Sequence, residues 1–141
     1  MPYNLPENIT TVYLAAVNNP TTESFLVPKL RNEFSDELTR RGDIKWVEES
    51  EAQGKIVINI LSFRSGAKLE SAAEKTVRSE MVLRLEARLY SSRTGALLSR
   101  TGPIVARESF GSQGGSAQGA VQDRLIQLAA ELAVQRLNQA F

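Results

Sequence analysis

The side chains able to do chemistry in this 141-residue chain are arginine, lysine and the carboxylates, because it contains no cysteine and no histidine. That removes thiol nucleophiles, thiolate metal sites, the commonest zinc ligand and the commonest general base near neutral pH. No carboxylates fall at calcium-loop spacing, and Glu48-Glu49-x-Glu51 reads as an exposed turn rather than a paired site. The residues point to no metal, no cofactor and no enzyme. What remains is recognition of anions. Residues 64–110 hold 9 basic and 5 acidic side chains, against 6 and 9 in residues 1–63 and 2 and 2 in residues 111–141. Arg64, Lys68, Lys75 and Arg78 surround one segment, and Arg84, Arg88, Tyr90 and Arg93 follow along the next. Two readings fit this pattern. Either these are solvated strand faces, with Arg84, Glu86 and Arg88 in cross-strand ion pairs, or they form a surface that attracts anions.

The elements that must position these residues follow from periodicity. Residues 9–17 are β-branched and apolar, and Asn18-Asn19-Pro20-Thr21-Thr22 stops them with turn chemistry. Val27, Leu30, Phe34, Leu38 and Arg41 then recur at spacings of three and four, which predicts an amphipathic helix ending at Gly42 and starting between Thr22 and Pro28. A short strand at 44–48 precedes a longer one at 55–63, apolar on both faces and therefore central. Residues 64–75 carry no strand pattern and read as a mobile connection.

Residues 76–90 alternate cleanly. Val77, Met81, Leu83, Leu85, Ala87 and Leu89 fall on one side, and Arg78, Glu80, Val82, Arg84, Glu86, Arg88 and Tyr90 on the other. Such alternation means an antiparallel neighbour and one uncovered face. The turn at 91–95 returns the chain as a hairpin partner over 96–110, where Gly102-Pro103 marks a bulge, break or edge. The Gly-rich stretch 111–116 lacks the spacing of a phosphate loop and reads as a linker. A long closing helix follows, with Ser116 as a candidate N-cap and Val121, Leu125, Leu128 and Leu132 on one stripe.

These elements predict an α/β (α+β) two-layer sandwich: a mixed, largely antiparallel sheet of four to five strands with two helices packed on one face. Residues 1–141 are of a length for a single domain, with residues 1–8 as an extended N-terminal tail. No run approaches the roughly 18 apolar residues of a membrane span. Met1-Pro2-Tyr3 is not a signal peptide, which leaves a cytosolic protein or one whose targeting segment has been removed.

In their order and spacing, several stretches resemble the lipopolysaccharide-assembly lipoprotein family LptE. They are Leu5-Pro6-Glu7-Asn8-Ile9-Thr10-Thr11-Val12-Tyr13-Leu14 with Asn18-Asn19, then Leu38-Thr39-Arg40-Arg41-Gly42, the strand at 54–63, residues 85–98 with their "TG-x-L-L", and the closing helix ending in Phe141. The resemblance spans nearly the whole chain and rests on fold signatures, not on a catalytic motif. It implies a helix-and-sheet sandwich held on the periplasmic side of the outer membrane by a lipidated N-terminal cysteine. It also implies a plug inside the β-barrel LptD that helps the barrel assemble and binds lipopolysaccharide in transit. The anchoring cysteine and signal peptide are absent here, which fits a start just after the anchor site.

Residues 111–119 hold no basic side chain, so the lipid-binding role implied by the resemblance shifts to Arg64, Lys68, Lys75 and Arg78, beside a segment expected to adapt to a ligand. Arg84, Arg88, Tyr90 and Arg93 become candidates for the partner interface. Nucleic acid is not an expected partner. The alternative is a different periplasmic lipoprotein module, one that oligomerises or activates another cell-envelope complex.

Overall fold

A computed structural model describes residues 5–42, 44–69, 77–111 and 115–139. The chain runs β1 (Thr11–Asn18), α1 (Leu26–Gly42), β2 (Lys45–Trp46), β3 (Gly54–Leu69), β4 (Val77–Ser91), β5 (Leu97–Arg100), β6 (Ile104–Gly111) and α2 (Gly115–Gln139). The strands form one mixed sheet in the order β2-β1-β3-β4-β5, with β6 also on β4. β1 is parallel to both β2 and β3, which requires a crossover, and α1 supplies it. The remaining pairs are antiparallel. This is the two-layer α+β sandwich the sequence predicts. The sixth strand arises because the stretch after the turn divides in two. Gly102, at φ +69°, takes a left-handed conformation at the division. The adjacent Thr101 keeps β4 bonded there: its N–H donates to the Ala87 carbonyl (2.9 Å), and its Oγ1 accepts from the Ala87 N–H (3.0 Å).

Both helices lie on one face. Leu26, Leu30, Phe34 and Leu38 of α1 form a single i+4 stripe, and all are fully buried. Val121, Leu125, Ala129, Ala133 and Leu137 do the same for α2. They cover Ile56, Ile58 and Ile60 of β3, Leu83, Leu85, Ala87 and Leu89 of β4, and Ile104 and Ala106 of β6. Gly54 closes the base of this core. A Cβ there would lie 2.9 Å from Leu89 Cδ1 and 3.3 Å from Ile9, so any larger residue would require Leu89 and Ile9 to shift. No described helix is long and apolar enough to cross a membrane.

Several boundaries differ from the sequence reading. Residues 64–69, expected in a connection, continue β3, each paired with a β4 residue from Leu69↔Val77 to Arg64↔Val82. Arg-Ser-Gly-Ala-Lys has little strand propensity of its own, and the strongly patterned β4 templates it. β2 shrinks to two residues. In the region expected as an extended tail, Leu5 is buried and residues 6–8 form a 3₁₀ turn, because Leu5 and Ile9 both enter the core. α2 opens at Gly115, which puts Ser116 inside its first turn instead of at the cap.

Candidate functional site

The helices leave the opposite sheet face uncovered, and its arginines are set by register. β4 is central: β3 flanks it along its whole length, while β6 pairs with residues 78–85 and β5 with residues 88–90. β1 reaches only to Asn59, so residues 60–69 of β3 project some 33 Å beyond it, at about 3.3 Å per residue. The face thus has a base half flanked by β1 and β5 and a hairpin half made of β3, β4 and β6.

A bulge separates the halves. Ile60 pairs with Leu85 and Ser62 with Arg84, which leaves Leu61 as an extra residue. The bulge exchanges parity. Before it, the even residues Ile56, Ile58 and Ile60 face the core; after it, Phe63 pairs with buried Leu83 and Ser65 with buried Met81. Phe63 packs edge-to-face on Phe25, with ring centroids 5.7 Å apart. Without the extra residue, Arg64 would turn inward. With it, Arg64 joins the uncovered face, and Leu61 stays 44% exposed.

In the hairpin half, two rows run across three strands: Ser62–Arg84–Val105, then Arg64–Val82–Arg107. Arg64, Arg84 and Arg107 are exposed, and Val105 is 40% exposed. Val82 is only 4% exposed despite lying on the uncovered face. Arg107 reaches Glu80 Oε1 at 3.4 Å. Arg64 and Arg84 make no ion pair or hydrogen bond among the described residues. Lys68 and Arg78 are register partners two rows further out, at Lys68↔Arg78, beyond Gly66↔Glu80. Lys75 lies outside the described residues.

In the base half, Arg88 donates to Glu86 on its own strand (2.8 Å). The Glu86 carboxylate, and after it Tyr90, hold the guanidinium even more firmly protonated than usual. The expected cross-strand pairing is therefore replaced by a same-strand pair. Register explains it: Arg88 stands opposite Val57 and Arg100, Glu86 opposite Asn59, and Arg84 opposite Ser62 and Val105, so none of the three has a complementary charge directly opposite. Arg93 sits beyond β4, on the wall of a surface cleft of about 650 Å³ that Glu7, Glu49 and Ser92 also line. Arg78 thus lies roughly 43 Å, at about 3.3 Å per residue, from the end of β4 at Ser91, where the turn carrying Arg93 begins.

The structure divides the expected residues differently from the sequence. Arg64, Lys68 and Arg78 share the hairpin half with Arg84, while Arg88 and Tyr90 lie in the base half and Arg93 at the far turn. Arg100 and Arg107 are on the same face and went unnoticed in sequence. Their strand alternates poorly through Gly102-Pro103, and only the pairing of β6 with β4 reveals where Arg107 points.

The α+β sandwich with one helix-covered face and one cationic face is a fold this chain shares with several proteins of solved structure. A minor lipoprotein from Acinetobacter baumannii superposes with a TM-score of 0.61 at 12% identity, covering 92% of this chain and 91% of that one. Uncharacterized lipoprotein B from Nitrosomonas europaea gives 0.55 at 20% identity, over 99% and 83%. PelC from Paraburkholderia phytofirmans, solved as a dodecamer, gives 0.58 at 14% identity, over 94% and 95%. No curated protein sequence matches the chain. The profile of the LptE family, described as lipopolysaccharide-assembly, matches residues 9–140, and the chain belongs to that family.

Proposed function

We propose that residues 1–141 act as one non-enzymatic assembly unit at the periplasmic side of the outer membrane. It is held there by an N-terminal lipid anchor, docks as a plug into the LptD β-barrel, supports the barrel's assembly and binds lipopolysaccharide in transit. The observation that carries this reading is the LptE match across residues 9–140. The cationic, helix-free sheet face supports it, because phosphate groups are met well by arginine and lysine. Lipid contacts fall to Arg64, Lys68, Lys75 and Arg78; Arg88, Tyr90 and Arg93 serve the barrel interface, and Arg84 lies between the two sets.

Co-expression with LptD tests the reading. The chain is expected to co-purify with the barrel and to raise the yield of folded barrel. A chain that ignores LptD would sink it. Charge reversal of Lys68 and Lys75 together is expected to weaken binding to lipopolysaccharide with no loss of helix signal in circular dichroism. Unchanged affinity would move the lipid site elsewhere.

A second reading has one observation in its favour, the dodecameric PelC neighbour. It makes this chain a module that oligomerises or activates a different cell-envelope complex. Analytical ultracentrifugation separates the two: a ring-sized species that forms without LptD supports the second reading, and a monomer supports the first.

A further inference from the structure

We propose that the hairpin half of the uncovered sheet face is itself a docking site for a phosphate-bearing lipid. Arg64, Arg84 and Arg107 would take the phosphate, while Leu61 and Val105 would take the first methylenes of the acyl chains. This rests on the lipid-binding reading above, but it places the ligand on the rigid sheet instead of at the hairpin end.

Three observations carry it. The register sets the arginines around one point. Arg64 and Arg107 flank Val82 on adjacent strands, so their Cα atoms are about 10 Å apart, and Arg84 lies two residues along from Val82, about 7 Å away. Guanidinium stems of that reach can converge on a single phosphate. Folding gathers these like charges with only partial compensation. Glu80 answers Arg107 at 3.4 Å and, with Glu23, lines a surface cleft beside Arg64, but neither the Arg64 nor the Arg84 side chain has a hydrogen bond or ion pair among the described residues. An external anion would relieve this repulsion, and arginine's planar fork suits phosphate.

The third observation selects an amphiphile over a free anion. Of the described large apolar side chains, three are exposed, and two of these, Leu61 and Val105, border the arginines. Leu61 is there because the bulge gives the strand an extra residue beside Arg84. Inorganic phosphate has no use for such residues. A lipid has use for both, since basic residues beside aliphatic ones hold an anionic headgroup and cover its first methylenes.

The test is flotation with vesicles of phosphatidylcholine containing lipid A, and with phosphatidylcholine alone. Wild type is expected to float with the first and not the second, and inorganic phosphate is expected to compete poorly. Arg84→Gln with Arg107→Gln should weaken binding about 10- to 100-fold, the range of lost charge-assisted hydrogen bonds. Leu61→Ser with Val105→Ser should weaken it about 3- to 10-fold. Arg84→Lys with Arg107→Lys should recover part of the loss. All these positions are exposed, and unchanged thermal midpoints are expected.

If wild type fails to float with lipid A vesicles, the lipid-binding reading falls, and this proposal with it. If wild type floats and the arginine variant floats equally well, while reversal of Lys68 and Lys75 abolishes flotation, the placement alone is overturned. A free-phosphate site is indicated, and the proposal overturned, if inorganic phosphate displaces the vesicles at low concentration. Arginine variants that lose LptD but keep the vesicles make this face a protein interface, which also overturns it.

Discussion

The two faces of β4 come from the same residues and obey different physics. Between Met81 and Leu89, the odd positions are at most 2% exposed and meet two helices, while the even positions carry Val82, Arg84, Glu86 and Arg88 on a face that no helix covers. On the first face the constraint is volume, because a packed core responds to a single methylene. On the second it is charge and register, because what matters is which side chains neighbour one another. A substitution on one face should therefore register in stability, and on the other in binding.

The sharpest way to break that division is to compare neighbouring residues. Leu85→Ala removes most of a side chain that is fully buried, and is expected to cost about 2–5 kcal/mol. Arg84→Ala, one residue away, is expected to stay within about 0.5 kcal/mol. Urea denaturation followed by circular dichroism measures both. Comparable losses would mean that the uncovered face is part of the stabilising structure.

Gly54→Ala comes next, because its Cβ would lie 2.9 Å from Leu89 Cδ1 and 3.3 Å from Ile9. Overpacking of this kind is expected to cost about 1–3 kcal/mol. A neutral result would show that Leu89 and Ile9 can give way, and that the base of the covered face is looser than its upper layers.

The covered face was legible in sequence and the uncovered one only in part, and the reason is physical. Leu30, Phe34 and Leu38, or Met81 through Leu89, announce their face by period alone, because burial demands apolar residues at fixed intervals; at the start of the helix the sequence pointed to Val27, whereas Leu26 is the residue fully buried. The uncovered face has no such demand. Arg84 and Arg88 could be assigned to it as the complement of an apolar set. Arg64 could not, since its orientation depends on the Leu61 bulge, and a one-residue shift reverses every side chain beyond it. Arg107 became visible only once β6 was paired with β4. Residues 64–69 looked like a loop because their strand conformation is borrowed from a neighbour. The family resemblance was legible because it rests on the order of elements, which survives these local errors.

The smallest expected effect lies on the helix layer, at Glu33 of α1. Partial burial is the main cause that raises its carboxyl above the usual range, followed by Asp36, with smaller contributions from Asp123 of α2 and from Glu37; Arg40 opposes them. Asp123, which also pairs with Lys29, brings a further carboxylate to the contact between the helices near Glu33. A raised folded pKa means that the folded chain keeps this proton after the unfolded chain has released it. Stability then falls as pH rises from the ordinary glutamate value through the folded one, and stays lower above it. Glu33→Gln removes the carboxylate without changing the shape. The variant is expected to be slightly more stable than wild type at neutral pH, and the two should converge as the pH drops below the ordinary glutamate range. Thermal midpoints across that range decide the matter. Parallel curves, or a less stable variant at neutral pH, would mean that Glu33 is well solvated and that charge matters on the uncovered face alone.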